Sequence, residues 1–283
     1  MAGCMTTQPA RPWDSAQAAE YWRQGAARRA QTLALATERL LDAASLQPGM
    51  RVLDVAAGTG DQTLLAARRI GSSGSILATD ISASMLAAAE QGFREAGLTN
   101  VTTLVSDASA LELPEAHFDA AICRFGLMFV PDLHQALSRI HRALKPGARF
   151  AALVWAPRER NPWMGMQIDV LTEIGRPPAP GMSVLQALSL ADPDKLARAF
   201  SAAGFVDTHT STVTTPRIYE SVAEAVDGMR TTSPVQAELL RQLSDAERQH
   251  YLASLEEHLK TFADATGRVV IPGEALLTTG ART

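Results

Sequence analysis

Three aspartates stand at equivalent places in three predicted strands. Asp54 lies near the end of the apolar run 52–55, Asp80 ends the next run, and Asp107 follows the third. The carboxyl ends of parallel strands meet at one edge of a sheet, so the three carboxylates are expected along one crevice. Such a crevice offers negative charge and hydrogen-bond acceptors to a single elongated ligand.

A glycine turn separates the first predicted strand from the helix that follows. The turn reads Ala56-Ala57-Gly58-Thr59-Gly60, and residues 62–69 have helical character. Residues with almost no side chain let the backbone turn sharply and let a ligand lie directly on it. Strand, glycine turn and helix form the nucleotide site of doubly wound sheets. The carboxylate of Asp54, just before the glycines, favours a cationic group there rather than a phosphate.

Each of the three acids suits a different part of one ligand. Asp80 can accept two hydrogen bonds from a ribose diol. Asp107, with the Ala108 backbone beside it, can accept one from the exocyclic amine of a purine. Asp54 can face an ammonium group directly or through water. A purine, a ribose and a positively charged amino acid together predict S-adenosylmethionine as the cofactor.

The hydrophobic pattern predicts the scaffold for these residues. Short apolar runs alternate with helical segments, and an extended segment lies close to the end of the chain. The predicted strands cover residues 52–55, 75–80, 101–105, 118–123, 149–155 and 205–215, with a last extended segment at 268–279. We therefore expect an α/β fold with a doubly wound, mostly parallel, seven-stranded, Rossmann-like sheet and helical lid insertions.

Composition shifts divide the chain into four predicted parts. Residues 1–45 form N-terminal helices that cap the site, and 46–156 form the cofactor-binding core. The proline-rich stretch 157–191 is a lid insertion, and 192–283 completes the sheet with a helical insertion at 216–266. Loops above the carboxyl edge of such a sheet cover the ligand. An apolar stripe at Leu33, Leu40, Leu41 and Ala44 suggests a homodimer interface.

Composition also excludes several classes of function. A formal net charge of -4 over 283 residues argues against a nucleic-acid partner. No apolar run reaches membrane-spanning length, and the first residues lack the layout of a signal peptide. With only two cysteines, a cytoplasmic location is expected. The histidines show no ligand spacing, so no metal site is predicted.

Four motifs carry a resemblance to a known family. The stretch 52–61 resembles the first motif of class I S-adenosylmethionine-dependent methyltransferases, and is most similar to the ubiquinone/menaquinone-biosynthesis type. Residues 79–86 resemble the second motif, 118–129 the fourth, and 144–149 the turn before the fifth strand. The motifs arrive in the family's order, across roughly residues 45–156.

The resemblance implies a set of cofactor contacts. Met85 would pack on the adenine face, Arg124 would lie beside the methionine part through its backbone, and Tyr21 or Trp22 would close over the cofactor. The complete predicted set is Asp54, Ala56, Gly58, Gly60, Asp80, Ile81, Met85, Asp107, Ala108, Arg124, Tyr21 and Trp22.

The predicted acceptor site is apolar and suits a flat or hydrophobic molecule. It comprises Phe125, Met128, Phe129, Trp155, Trp163 and Met164. The expected reaction is methyl transfer to O, N or C of a hydrophobic small molecule that is quinone-, polyketide- or alkaloid-like. No motif identifies a general base, so the catalytic residues stay unassigned.

Two other readings remain open from the residues. A nicotinamide-dependent oxidoreductase shares this fold, but its fingerprint would place a third glycine where Thr63 stands. A cofactor-binding protein without catalysis, acting as a partner of another protein, would carry the same glycines and acids.

Overall fold

The computed structural model describes residues 15–177, 183–230 and 240–283. Its N-terminal part consists of three consecutive helices, which are α1 (Ala16–Gln24), α2 (Ala26–Thr32) and α3 (Ala34–Ala43). The sequence predicts one helix over 26–44, but Leu33 leaves helical geometry with φ -103° and ψ 8°. Trp13, predicted to begin the first helix, lies outside the described residues, as do the predicted breaks at 178–181.

Seven strands form one mixed sheet, as predicted. They are β1 (Arg51–Val55), β2 (Ser75–Asp80), β3 (Val101–Val105), β4 (Phe118–Arg124), β5 (Leu144–Trp155), β6 (Phe205–Thr214) and β9 (Glu274–Arg282). Their order is β3-β2-β1-β4-β5-β9-β6, and β9 pairs antiparallel with both of its neighbours. The order in which strands are added to the sheet reverses between β1 and β4, which are parallel neighbours. Ligands of doubly wound sheets bind at this point.

Helices connect these strands and pack on the sheet. They are α4 (Asp61–Ile70), α5 (Ala83–Glu95), α6 (Leu133–Ala143) and α9 (Pro193–Ala202). The side chain of Asp132 begins α6 by accepting a hydrogen bond from the Gln135 backbone N–H at 2.9 Å. Four apolar residues of α6 at helical spacing are buried, and this stripe fixes the helix on the sheet.

The fifth strand begins earlier than predicted. The sequence pattern extends the preceding helix to Leu144 and places a turn at Lys145-Pro146-Gly147, but β5 starts at Leu144. Leu144 pairs with Phe118, and the register then shifts before Ala120. This bulge accommodates the turn residues within the strand, which a period-based pattern does not reveal.

The region predicted as a helical insertion at 216–266 also contains a strand. β7 (Arg217–Tyr219) pairs antiparallel with β8 (Val269–Ile271) as a separate two-stranded ribbon. The ribbon continues the β6–β9 pair beyond Pro216 and Pro272. Proline has no N–H to donate, so it interrupts the ladder at this point. The predicted last extended segment is therefore two strands in two different sheets.

Four helices lie with this ribbon over the carboxyl edge of the sheet. They are α7 (Pro162–Glu173), α8 (Ser183–Gln186), α10 (Val222–Arg230) and α11 (Asp245–Lys260). Trp163 of α7, Met229 of α10 and Tyr251 of α11 belong to the same buried cluster as β5 of the sheet. The predicted lid regions are therefore packed on the main core rather than hinged away from it.

The apolar stripe of the N-terminal helices is buried within the chain. Leu33, Leu40, Leu41 and Ala44 are all at most 6% exposed. They pack into the two core clusters of this same chain, so the stripe has no apolar face left for a second copy. The predicted homodimer interface at this stripe is wrong.

Candidate functional site

A cavity of about 600 Å³ lies over the carboxyl edge of the sheet, where β1 and β4 are neighbours. Every predicted site residue lines it except Asp54 and Gly60. One half is built on the glycine turn and the ends of β2 and β3. The other half is built from aromatic and methionine side chains of β5, α7 and the loop after β4. The volume lies in the range of about 300–1,000 Å³ that is typical of small-molecule sites.

The glycine turn presents backbone to the cavity. Gly58 has φ +58°, and a Cβ built on it would meet nothing within 4 Å. Its N–H donates a hydrogen bond to a carboxylate oxygen of Asp80 at 2.8 Å. The space above Gly58 is therefore open for a ligand to lie against the main chain.

Gly60 has a structural role instead. It precedes α4 in the left-handed conformation, and a Cβ there would lie 2.6 Å from the ring of Phe93. Gly60 faces α5 and does not line the cavity, so its predicted cofactor contact stays a prediction that this placement does not favour. Glycine is required here for the helix start and for the close packing of Phe93.

Strain marks the point where β1 and β4 end. Ala56 and Phe125 both adopt positive φ, at 56° and 60°. A Cβ added to Gly126 would lie 2.3 Å from the Cβ of Ala56, so the two loops touch. Backbone held in this region costs about 1–3 kcal/mol for each residue and is concentrated at functional sites. The geometry keeps Ala56 and Phe125 at the cavity wall.

Two of the three predicted acids face the cavity with their positions fixed. Asp80 accepts hydrogen bonds from the N–H groups of Gly58 and Ser82 at 2.8 and 2.9 Å. Asp107 accepts two from Ser109, at 2.8 Å from the N–H and 2.7 Å from the hydroxyl. Both carboxylates line the cavity, as the sequence predicts.

Asp54 differs from the other two acids. It is fully buried and does not line the cavity. It accepts hydrogen bonds from Gln62 Nε2 at 3.1 Å and Thr63 Oγ1 at 2.6 Å, which hold α4 against β1. Burial raises the pKa of Asp54 to about 6, although these two hydrogen bonds oppose the rise. Its oxygens are enclosed between the strand and the helix, which does not favour direct contact with a ligand ammonium, and the contact through water stays a prediction.

Sequence reasoning did not identify a charged cluster at the glycine-turn end of the cavity. Arg29 donates to one carboxylate oxygen of Asp61 from Nη2 at 2.9 Å and from Nε at 3.1 Å. Arg124 Nη2 lies 3.5 Å from the same oxygen, and its Nη1 donates to Thr37 Oγ1 at 2.9 Å. Burial lowers the pKa of Arg124, and the charge of Asp61 opposes that effect. All three charged residues line the cavity, with one positive charge in excess.

Helix α1 closes this end of the cavity. The guanidinium of Arg29 lies 4.7 Å from the ring centre of Trp22, and the hydroxyl of Tyr21 donates to the carbonyl of Arg230 at 3.0 Å. Burial raises the pKa of Tyr21. Tyr21 and Trp22 line the cavity, as the resemblance implies, and Tyr21 joins α1 to α10.

Aromatic rings form the wall of the other half. Phe125 stacks on Trp155 with ring centres 4.0 Å apart and planes 14° from parallel. Trp155 meets Trp163 edge to face at 5.2 Å. The guanidinium of Arg217 lies over the opposite end of this row, 3.7 Å from the ring centre of Trp163. Met128, Phe129 and Met164 complete the apolar lining that the sequence predicts.

The two halves differ in their ionisable groups. The acids that line the cavity are Asp61, Asp80 and Asp107, all at the end formed by the glycine turn and the neighbouring strand ends. In the aromatic half, the lining within the described ranges contains no carboxylate and no histidine. Arg217 is the ionisable group of that lining. Sequence reasoning assigned it no role, because it follows a proline in a segment predicted to be helical. No cluster of metal-ligating side chains occurs among residues 15–177, 183–230 and 240–283.

Comparison with known proteins agrees with this architecture. The family model of the ubiE/COQ5 methyltransferase family matches residues 34–215. The chain belongs to the ubiE/COQ5 methyltransferase family. The matched segment contains the glycine turn, the three acids that line the cavity and the Phe125–Trp155 stack, and it ends before Arg217.

A curated relative matches part of the chain. The ubiquinone/menaquinone biosynthesis C-methyltransferase UbiE of Shewanella halifaxensis is 40% identical over 122 residues, which are 43% of this chain and 49% of that protein. The chain spans about half the length of the curated relatives it matches.

Solved structures share the fold at low identity. Haemonchus contortus phosphoethanolamine N-methyltransferase 2, solved with phosphomonomethylethanolamine and S-adenosylhomocysteine, aligns at a TM-score of 0.58 and 17% identity over 92% of this chain and 57% of that one. The [4+2]-cyclase SpnF aligns at 0.54 and 22% identity over 88% and 81%. Proteins of different reactions therefore share this fold, and the site has to carry the functional argument.

None of the described helices combines the length and apolar character that crossing a bilayer requires.

Proposed function

We propose that the chain is an S-adenosylmethionine-dependent methyltransferase that acts on a hydrophobic, quinone-like small molecule. The observation that carries this proposal is one cavity with two chemically distinct halves, a glycine turn flanked by fixed acids and a row of aromatic rings. Membership of the ubiE/COQ5 family and the C-methyltransferase relatives support the same reaction.

The residues at the strand ends fit the nucleoside part of this cofactor. Asp80 would accept hydrogen bonds from the ribose hydroxyls, with Gly58 giving the backbone room to approach. Asp107 and Ala108 would hold the adenine edge, and Ile81 and Met85 would pack on its faces.

The charged cluster fits the amino-acid part. The carboxylate of the cofactor would lie against Arg29 or Arg124, and its ammonium against Asp61. Asp61 thereby takes the role that the sequence assigns to Asp54, which is enclosed behind the glycine turn. The excess positive charge of the cluster suits a ligand end that carries a carboxylate.

When bound, S-adenosylmethionine supplies a methyl group activated by its sulfonium. The protein then has to orient the acceptor and exclude water. The parallel faces of Phe125 and Trp155 and the flexible side chains of Met128 and Met164 would hold a flat apolar acceptor against the cofactor half. No general base is assigned.

The oxidoreductase reading is not favoured. The position of the third glycine in that fingerprint is held by Thr63, which is buried and hydrogen bonded to Asp54. Glycine there would remove one of the two bonds that fix α4. We retain the cytoplasmic location as part of the proposal, on the sequence argument alone.

Turnover separates an enzyme from a binding protein without catalysis. The purified chain would be incubated with methyl-labelled S-adenosylmethionine and a panel of reduced quinones, flat phenols and aromatic acids, with product identified by mass spectrometry. The proposal predicts a labelled product with at least one acceptor, and Asp80→Ala should lower its rate of formation at limiting cofactor. Tight cofactor binding with no labelled product across the panel would favour the binding protein.

A further inference from the structure

Arg217 is a buried cation in the apolar half of the cavity. It is 8% exposed and belongs to the ribbon formed by β7 and β8. It lines the cavity together with the aromatic row, and its guanidinium stacks on Trp163 at 3.7 Å. The residue lies two positions beyond the segment that the family model matches.

The guanidinium has no anionic partner in the described part of the chain. Its Nε is buried without a hydrogen-bond partner, and no carboxylate of those residues lies within ion-pair distance. Its other polar neighbour is the hydroxyl of Tyr219, and burial lowers the pKa of Arg217. A buried ionised group without a counter-charge is costly, so the vacant donor requires an explanation.

The other arginines that line the cavity are already paired. Arg29 and Arg124 share Asp61, and Arg28 donates to Glu224 at 3.3 Å. Arg28 also lies 5.3 Å from the ring centre of Tyr219, so it borders the same ribbon. Arg217 differs from all three because it lines the aromatic half of the cavity and none of the described carboxylates pairs with it.

Among the described residues, the acceptor half contains no other group that could neutralise this charge. The cavity acids lie at the end built on the glycine turn, and the residues between them and Arg217 are Phe125, Trp155 and Trp163. A flat ligand lying along these rings would bring its far end to the guanidinium. A planar guanidinium that is stacked on an indole is also pre-organised to donate hydrogen bonds to an anionic oxygen.

We propose that Arg217 binds an anionic oxygen of the acceptor, and that the acceptor is a flat apolar molecule carrying a carboxylate or an ionised phenol. This inference rests on the proposed function, since it concerns the acceptor half of the same cavity. Arg217 is assigned as a specificity-determining residue that selects acids over neutral molecules of the same shape.

Two pairs of probes test the proposal and distinguish the two kinds of acid. The first pair is 2-naphthoate and 2-naphthamide, which differ in charge but little in shape. The second is 4-nitro-1-naphthol, ionised by working at about pH 8, and neutral 1-nitronaphthalene. Dissociation constants are measured by ligand-observed NMR titration on the full chain saturated with S-adenosylhomocysteine, which is proposed to occupy the cluster of Arg29 and Arg124.

The variants are Arg217→Gln, Arg217→Lys and, as a matched control, Arg28→Gln. The wild type should prefer the acid of at least one pair by roughly tenfold or more, the scale of one charged hydrogen bond. Arg217→Gln should reduce the preference to roughly threefold or less. Arg217→Lys should keep part of it, and Arg28→Gln should keep all of it. A merely structural arginine would change both members of a pair equally.

Absence of an acid preference in both pairs for the wild type would overturn the proposal, and this result needs no variant to fold. A preference that survives Arg217→Gln, or that Arg28→Gln removes, would overturn it as well. Failure of the proposed function has a separate signature. In that case S-adenosylhomocysteine does not bind in the first step, whereas the acid preference can still be measured without it.

Discussion

Arg29 of α2 donates two hydrogen bonds to a single carboxylate oxygen of Asp61, the first residue of α4, at 2.9 and 3.1 Å. The pair joins the N-terminal helices to the glycine turn across the mouth of the cavity. Both side chains are largely buried, at 15% and 13% exposed, so solvent screens this interaction less than it would screen a surface pair. The amino-acid end of the proposed cofactor would meet this pair.

Arg29→Met should weaken the binding of S-adenosylhomocysteine by about 1.5–3 kcal/mol, the scale of a charged hydrogen bond. The variant should leave 5′-methylthioadenosine, which lacks the amino-acid part, almost unaffected. Calorimetry with the two ligands on the wild type and the variant measures the difference. An equal loss for both ligands would place Arg29 away from the amino-acid end.

Asp80→Ala should weaken the binding of S-adenosylhomocysteine and of 5′-methylthioadenosine by about 1.5–3 kcal/mol, because each contains the ribose that Asp80 is proposed to hold. The matched control is Asp119→Ala, which also removes a carboxylate that accepts a backbone N–H, from Arg51 at 2.8 Å, but lies outside the cavity lining. Unchanged affinity of Asp80→Ala, measured in the same titrations, would refute the ribose assignment.

Gly58→Ala should place a methyl group where the cofactor approaches the backbone. Gly58 and Gly97 have similar positive φ, +58° and +69°, and neither would bring a Cβ within 4 Å of another atom. Both alanine variants should therefore lose about 1 kcal/mol of unfolding free energy through strain. Denaturant titration and calorimetry together should show that Gly58→Ala alone lowers cofactor affinity, whereas equal affinities would contradict the placement over the turn.

Asp54 should make the protein less stable as the pH rises. Its pKa is about 6 in the folded chain against an ordinary value of 3.8, so the folded state holds the proton more tightly. The contribution is fully present below about pH 4 and is lost as the pH rises to about 6, with a total of about 3 kcal/mol at about 1.4 kcal/mol per pH unit.

Asp54→Asn removes this titration and can still bond Gln62 and Thr63, since the threonine hydroxyl can accept as well as donate. The unfolding free energy of the variant minus that of the wild type should therefore increase by about 3 kcal/mol between about pH 4 and pH 7. Urea unfolding at a series of pH values measures this difference. A difference that stays constant with pH would show that Asp54 titrates normally.

Local patterns account for the sheet and for most of the cavity wall. Apolar runs ending in Asp80 and Asp107 mark strand ends, and parallel topology alone brings them to one edge. The same patterns do not predict strand pairing where a proline interrupts a hydrogen-bond ladder of the sheet. The ribbon of β7 and β8 exists because Arg217–Tyr219 pair with Val269–Ile271 beyond Pro216 and Pro272, and no local signal encodes a pairing so distant in sequence.

The errors at the site have a common physical cause. Whether a charged side chain is enclosed or faces the cavity depends on neighbours that are distant in sequence. Asp54 is enclosed by Gln62 and Thr63. Asp61, seven residues along, lines the cavity and pairs with Arg29 of another helix. Arg217 reaches the aromatic row only through the ribbon. The position of a residue in the sequence does not by itself show whether its carboxylate or guanidinium lines the cavity.

The most direct test of the account is isothermal titration calorimetry of the purified chain with S-adenosylmethionine, S-adenosylhomocysteine and NAD. We expect micromolar binding of the first two and none of NAD. Binding of NAD without binding of the other two would contradict it, and would reassign Asp80 to the ribose of a nicotinamide cofactor.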